Sequence, residues 1–183
     1  MTTYAGFLRG INVGGKNVIK MADLKNKLQS LGLSKVQTYI QSGNVLFQSD
    51  EGEKSLREKI ETTIQTAFGF PVVVILRTLE DLKQIIAECP FPSEDVTLAQ
   101  SSNEFQCLYV ALLDRTPLSE ELSRVNVYQS EADQYRAIGR DIFILVHHSI
   151  SDSKLAANLD NLAIPMTLRN WKTISKLVDL AKS

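Results

Sequence analysis

The feature that most constrains this chain is the order in which its two hydrophobic periods alternate. Residues 3–9, around an apolar run over 4–8, read as a buried strand. From Met21 the apolar positions Met21, Leu24, Leu28 and Leu31 recur at helical spacing until Gly32. Residues 36–40 and 45–47 are short β-rich runs on either side of Gln41-Ser42-Gly43-Asn44, which reads as an antiparallel hairpin. A second helical stripe carries Leu56, Ile60, Ile64, Ala67 and Phe68, closes at Gly69 and Pro71, and leads into the apolar run 72–76. The order βαββαβ with a hairpin at its centre excludes an all-parallel sheet. It predicts the split βαβ arrangement, in which two helices pack on one face of a four-stranded antiparallel sheet as in ferredoxin-like folds.

The pattern then recurs. Thr78-Leu79-Glu80-Asp81 has capping-box spacing ahead of a third helix bearing Leu79, Leu82, Ile85 and Ile86. Cys89-Pro90-Phe91-Pro92 and Ser101-Ser102-Asn103 show no periodicity and read as a connector. Beyond it come a strand over 105–113, a helix opened by Thr116-Pro117, and strands over 134–138 and 141–146 around Gly139-Arg140. Ser151 or Asp152 then caps a helix bearing Leu155, Leu159 and Leu162, and 164–168 is a last strand. A final helix from Asn170 buries Trp171, Ile174, Leu177, Val178 and Ala181. The expectation is an α+β chain of two ferredoxin-like βαββαβ halves: 1–88 with an extra helix, a connector over 89–104, and 105–183 with the terminal helix. No residue-level repeat joins them, so duplication rests on element order.

Composition narrows the partners. A net charge of −1 over 183 residues provides no global attraction to phosphate backbones or anionic membranes. Cys89 and Cys107 have no metal-ligand spacing, and Met1-Thr2-Thr3-Tyr4 lacks the start of a secretory signal. No apolar run approaches the ~18 residues of a membrane span. A cytoplasmic protein with small partners, and without a membrane partner, is the expectation.

The stretch richest in chemistry is Arg9-Gly10-Ile11-Asn12-Val13-Gly14-Gly15-Lys16. Its glycines permit positive φ and close approach of N–H groups to a ligand, and Arg9 and Lys16 add positive charge. Gly10 to Asn17 nearly matches the phosphate-binding P-loop, G-x-x-x-x-G-K-[ST], with Asp114 after the apolar strand as an imitation of its magnesium-assisting aspartate. That mechanism does not fit. Asn17 replaces the hydroxyl, Val18-Ile19 do not open a helix, and the hairpins contradict a parallel core. A solvated β-to-α turn is the plain alternative for the loop.

Five blocks together carry a family resemblance: Arg9 to Lys16, Tyr39-Ile40-Gln41-Ser42-Gly43-Asn44-Val45, Pro90-Phe91-Pro92, Ser153-Lys154-Leu155 and Arg169-Asn170-Trp171. In this order they resemble the signature blocks of an uncharacterised bacterial family, domain of unknown function family 1697, from the first strand to the last helix. Cys89 and Lys172 depart from it, standing where the family often has asparagine. The resemblance implies an α+β protein with ferredoxin-like halves and names no activity.

Read physically, the blocks form one expected site at the junction of the halves. Arg9, Lys16, Lys154 and Arg169 supply positive charge, and Asn12, Gln41, Ser42, Asn44 and Asn170 supply hydrogen bonds. Gly10, Gly14 and Gly15 supply backbone N–H groups, and Trp171 an aromatic face. Such a set suits a small ligand bearing phosphate or carboxylate, a nucleotide for example. Each block also has a local role open to it: Trp171 at core spacing, Asn170 as a helix cap, residues 41–44 as a turn. His147-His148 point to opposite faces of a strand and cannot easily share a metal, and no motif supplies a nucleophile or paired carboxylates. Asp133, Tyr135 and Asp141 in the second hairpin are candidate acids, with surface roles the expectation. Catalytic residues and cofactors are thus undefined, and no metal is expected. The alternatives are a single-stranded nucleic-acid binding module, with Tyr39 and Phe47 stacking bases, and a non-catalytic interaction or oligomerisation module.

Overall fold

The computed structural model describes residues 1–182. Two four-stranded antiparallel sheets organise it. In the first, β1 (Thr2–Leu8) lies between β3 (Asn44–Ser49) and β4 (Val74–Thr78), with β2 (Ser34–Tyr39) outermost beside β3. In the second, β5 (Leu108–Leu113) lies between β7 (Asp141–Val146) and β8 (Met166–Asn170), with β6 (Asp133–Ile138) outermost beside β7. Both have the strand order of the split βαβ unit, so the chain is α+β with two ferredoxin-like halves. By their internal contacts the described residues divide into a unit of 1–84 with 176–182 and a unit of 85–175.

In the first unit, α1 (Met21–Ser30) and α2 (Glu53–Phe68) bury Leu24, Leu28, Leu56, Ile60 and Ile64 in one cluster with Tyr4, Leu8, Val45, Phe47, Val74 and Leu76 of the sheet. The sheet residues alternate along their strands, as one face requires. In the second unit, α5 (Ser119–Asn126) and the short α6 (Lys154–Ala157) contribute Val125 and Leu155 to a cluster with Ala111, Leu113, Ile142 and Ile144. The single helix expected over Leu155, Leu159 and Leu162 is instead α6, capped by Ser153 Oγ on the Ala156 N–H at 3.0 Å, and a 3-10 turn over Leu159–Leu162.

The stretch expected to be irregular carries α4 (Ser93–Ser101), following α3 (Leu79–Ala87). It is polar nearly all round and buries only Ala99, so it left no apolar period to read. Pro92 at its N-cap and Glu94 and Asp95 in its first turn are the local signals. Strand limits also move: β4 begins at Val74, β5 at Leu108 with Phe105 exposed, and β8 at Met166.

A residue-level repeat becomes visible in the sheet register. Tyr4 of β1 pairs with Thr78, and Tyr109 of β5 pairs with Asn170. The residues preceding those partners are Arg77 and Arg169, and each guanidinium donates from Nη1 to the carbonyl just before it, Leu76 O at 2.8 Å and Leu168 O at 3.0 Å. A helix follows directly in both cases. Thr78 Oγ1 accepts from the Asp81 N–H at 3.1 Å, and Asn170 Oδ1 accepts from the Thr173 N–H at 2.9 Å to cap α7 (Trp171–Ala181). Arg–cap–helix is one device used twice.

One ion pair ties the start of β6 to the segment after β7. His148 Nδ1 lies 2.8 Å from the Ser149 carbonyl, and Nε2 lies 3.4 Å from Oδ1 of the buried Asp133, which has no hydrogen-bond partner among the described residues. The Ser149 carbonyl accepts from the Nδ1–H, and a second proton on Nε2 places a positive charge beside the Asp133 carboxylate. The Ser149 carbonyl first, then the Asp133 and Asp152 carboxylates, raise its pKa above the ordinary value against the opposing effect of burial. A raised histidine pKa contributes stability that is complete below the unfolded value of about 6.5 and lost as pH rises through the folded value. Urea midpoints measured across neutral pH therefore fall with rising pH in the wild type, and His148→Gln removes that component.

Candidate functional site

The loop between β1 and α1 is built from its two anchors outward. Ile11 and Ile19 are buried in the first unit's core, at 1% and 3% exposure, and the residues between them rise clear of it. Asn12 N–H donates to Asn17 O at 3.1 Å and Lys16 N–H to Val13 O at 3.0 Å, which makes residues 12–17 a miniature hairpin. Its central residues Gly14 and Gly15 have φ of +57° and +72°. Positive φ at both positions is the requirement of a type I′ turn, and glycine meets it without strain. The two glycines therefore shape a hairpin tip. Asn17 Nδ2 closes the base on Gly10 O at 3.2 Å, and α1 begins only at Met21, so no helix N-terminus follows Lys16 as P-loop chemistry demands.

The Asn12 carboxamide holds this hairpin to the rest of the unit. Its Nδ2 donates to Ile19 O at 3.0 Å and to Gln41 O at 2.8 Å, while Oδ1 accepts from the Ile19 N–H at 2.9 Å. Both amide protons and the oxygen are engaged. The turn at 40–44 is also fixed by Leu8 N–H to Gly43 O at 2.8 Å, and Gly43 fits so closely that a Cβ there would stand 2.8 Å from Ile11 Cδ1 and from Leu8 Cβ. Asn44 is fully buried and donates from Nδ2 to Tyr39 O at 3.1 Å and Ser42 Oγ at 2.9 Å. Two of the predicted blocks thus form one continuous structure.

Its outer surface is distinctive. Arg9, Lys16 and Lys20 are exposed, and no acidic residue occurs from Arg9 through Ala22. The Gly14 and Gly15 N–H groups make no hydrogen bond among the described residues. Val13 is 65% exposed, Val18 62% and Ile40 50%. Ile40 has φ +50°, a left-handed conformation that a β-branched residue adopts only under constraint from its surroundings. Val18 and Ile40 each adjoin a residue bonded to Asn12, so aliphatic and cationic groups border the same anchor.

Not every predicted side chain is available to a ligand. Asn12 and Asn44 are turned onto their own backbone, so what they supply is position. Gln41 and Ser42 are exposed, with Gln41 taking part through its carbonyl. The other predicted residues belong to the second unit. Lys154 is exposed at the start of α6, Asn170 caps α7, and the half-buried Trp171 ring lies 6.4 Å from that of Phe143 at 50°. Arg169 Nη1 donates to Thr167 Oγ1 at 2.6 Å, and burial lowers its pKa to about 10, which leaves it a cation at neutral pH. Sequence reasoning missed Lys20, Val13, Val18 and Ile40. The run without acids was the available signal for Lys20, whereas aliphatic exposure has none before the fold is known.

Fold and loop together define a class, an α+β protein of two ferredoxin-like units with a pinned cationic hairpin after its first strand. The chain belongs to the family described as Protein of unknown function (DUF1697), whose model matches residues 1–143. That range includes the blocks at 9–16, 39–45 and 90–92, and stops before those at 153–155 and 169–171. The chain is similar to a solved structure, that of the conserved bacterial protein SP0830 from Streptococcus pneumoniae, with 31% identity over 97% of each chain and a TM-score of 0.70. Among curated proteins none matches the chain.

The anchoring role of Asn12 has a direct test. Asn12 has φ +54°, so Asn12→Gly removes the carboxamide without adding backbone strain. Loss of three hydrogen bonds, two of them partly buried, lowers unfolding free energy by about 2 kcal/mol, read from urea denaturation of both proteins.

Proposed function

We propose that the first unit binds a small ligand carrying a phosphate or carboxylate group and an apolar or planar part, on the surface formed by the 12–17 hairpin and the 40–44 turn. The observation that carries this reading is the Asn12 anchor: three side-chain hydrogen bonds immobilise a tip that packs against no core. Fixing such a tip costs conformational entropy and returns little apolar burial, as binding loops on rigid scaffolds do. The charge of Arg9, Lys16 and Lys20 suits the anion, and the Gly14 and Gly15 N–H groups, which make no hydrogen bond among the described residues, add donors. The aliphatic groups of Val13, Val18 and Ile40 suit the remainder, a nucleotide-like shape being the simplest that offers both.

A reducing, cytoplasmic setting is part of the same proposal. Cys89 and Cys107 are free thiols, and no described helix is long and apolar enough to cross a membrane.

A thermal-shift screen of nucleotides and dicarboxylates tests the reading. The wild type gains stability from at least one compound, about 2.7 kcal/mol at a hundred times Kd. Lys16→Ala combined with Lys20→Ala keeps the melting temperature of the free protein and loses the gain. Absence of stabilisation by every compound, or a gain retained in the double variant, removes the proposal.

A further inference from the structure

At the opposite end of the same sheet, the pairing of β2 with β3 is interrupted. Ser34 pairs with Gln48 and Gln37 with Leu46, so Lys35 and Val36 together oppose Phe47 in a bulge. Val36 is buried in the core at 3% exposure, and Lys35 is held with φ +48°. Glycine would take that conformation freely, whereas a residue with a Cβ is strained in it. The shape of the bulge therefore does not explain the lysine. A role for its side chain does.

Beside the bulge lies a cleft of about 430 Å³, within the range of small-molecule sites. Lys25 and Gln29 of α1, Lys35 and Gln37 of β2, and Gln48 of β3 line it over a floor that includes the buried Leu46, and no carboxylate is among its lining residues. Two ammonium groups without a counter-charge call for an anion. The Gln29 and Gln37 carboxamides, each both donor and acceptor, and the side-chain carbonyl of Gln48, whose Nε2 donates to Thr3 Oγ1 at 3.2 Å, call for a body rich in hydroxyls.

We infer that this cleft is a binding site for a phosphate monoester of a polyhydroxylated body, a sugar phosphate, with Lys25 and Lys35 on the phosphate and Gln29, Gln37 and Gln48 on the hydroxyls. The site is separate from the hairpin surface. The hairpin follows the C-terminal end of β1 at Leu8, whereas Thr3 at the other end of that strand borders the cleft. The bulged lysine on an edge strand has one competing explanation, protection against pairing with another chain, which a charge of either sign provides.

Titration of the full chain with ribose 5-phosphate and glucose 6-phosphate, followed by the side-chain amide resonances of Gln29, Gln37 and Gln48, tests the assignment. These resonances shift to saturation in the wild type and in Lys16→Ala, whose hairpin charge is altered and whose cleft is intact. Lys35→Gly melts at a higher temperature because the strain is gone, and its Kd rises at least tenfold, about 1.4 kcal/mol. Lys35→Glu keeps a charged edge and the oligomeric state of the wild type, and it too loses binding. Unshifted resonances in the wild type overturn the proposal, as does Lys35→Glu binding as the wild type does. Equal affinity for inorganic phosphate overturns the sugar component.

Discussion

The Asn12 carboxamide is the contact on which the first unit's most exposed feature depends. A glycine-rich hairpin of six residues has little to hold it: its tip buries no side chain and contributes no strand to the sheet. Asn12 supplies what packing does not, bonding both to Ile19 at the hairpin's exit and to Gln41 in the turn after β2. Through it a connection that would otherwise sample many conformations is fixed to the rest of the unit. Ile11, Ile19 and the close fit of Gly43 anchor the same structure from below.

The halves share more than strand order. At the last strand of each, a tyrosine on the central strand, an arginine folded onto its own strand and a capping side chain occupy matching register positions. The capping residues differ, Thr78 in one and Asn170 in the other, and so do the residues that open the helices, Leu79 and Trp171. What persists is chemistry at fixed positions, where backbone polarity must be satisfied at a strand-to-helix junction. The glycine-rich hairpin has no such echo: β5 passes through Asp114 and Arg115 to α5.

Much of this was legible in the sequence. The changes of hydrophobic period located both hairpins, the start of α1 at Met21 and the order of all eight strands, because one buried face imposes its period on every element. α4 was hidden, since a helix that buries only Ala99 has no stripe to read. At the candidate site, residue types and neighbourhoods were visible, and their direction was not. Asn12, Asn44 and Asn170 are as suited to a ligand as to a backbone, and the bonds at Ile19, Tyr39 and Thr173 show which they serve. Gly14 and Gly15 read as a cradle because glycine permits both a cradle and a type I′ turn, and only their φ values separate the two. Lys35 was silent for the same reason, its bulge being a matter of register.

If the hairpin is held as described, its tip is rigid before any ligand arrives. Backbone ¹⁵N relaxation of the Gly14 and Gly15 amides in the free protein measures this directly. Order parameters near the rigid-backbone value of about 0.85 are predicted at both glycines, close to those of β1 and β3. Values below about 0.6 would show a tip moving freely on the fast timescale, and would contradict an Asn12-anchored, preorganised surface.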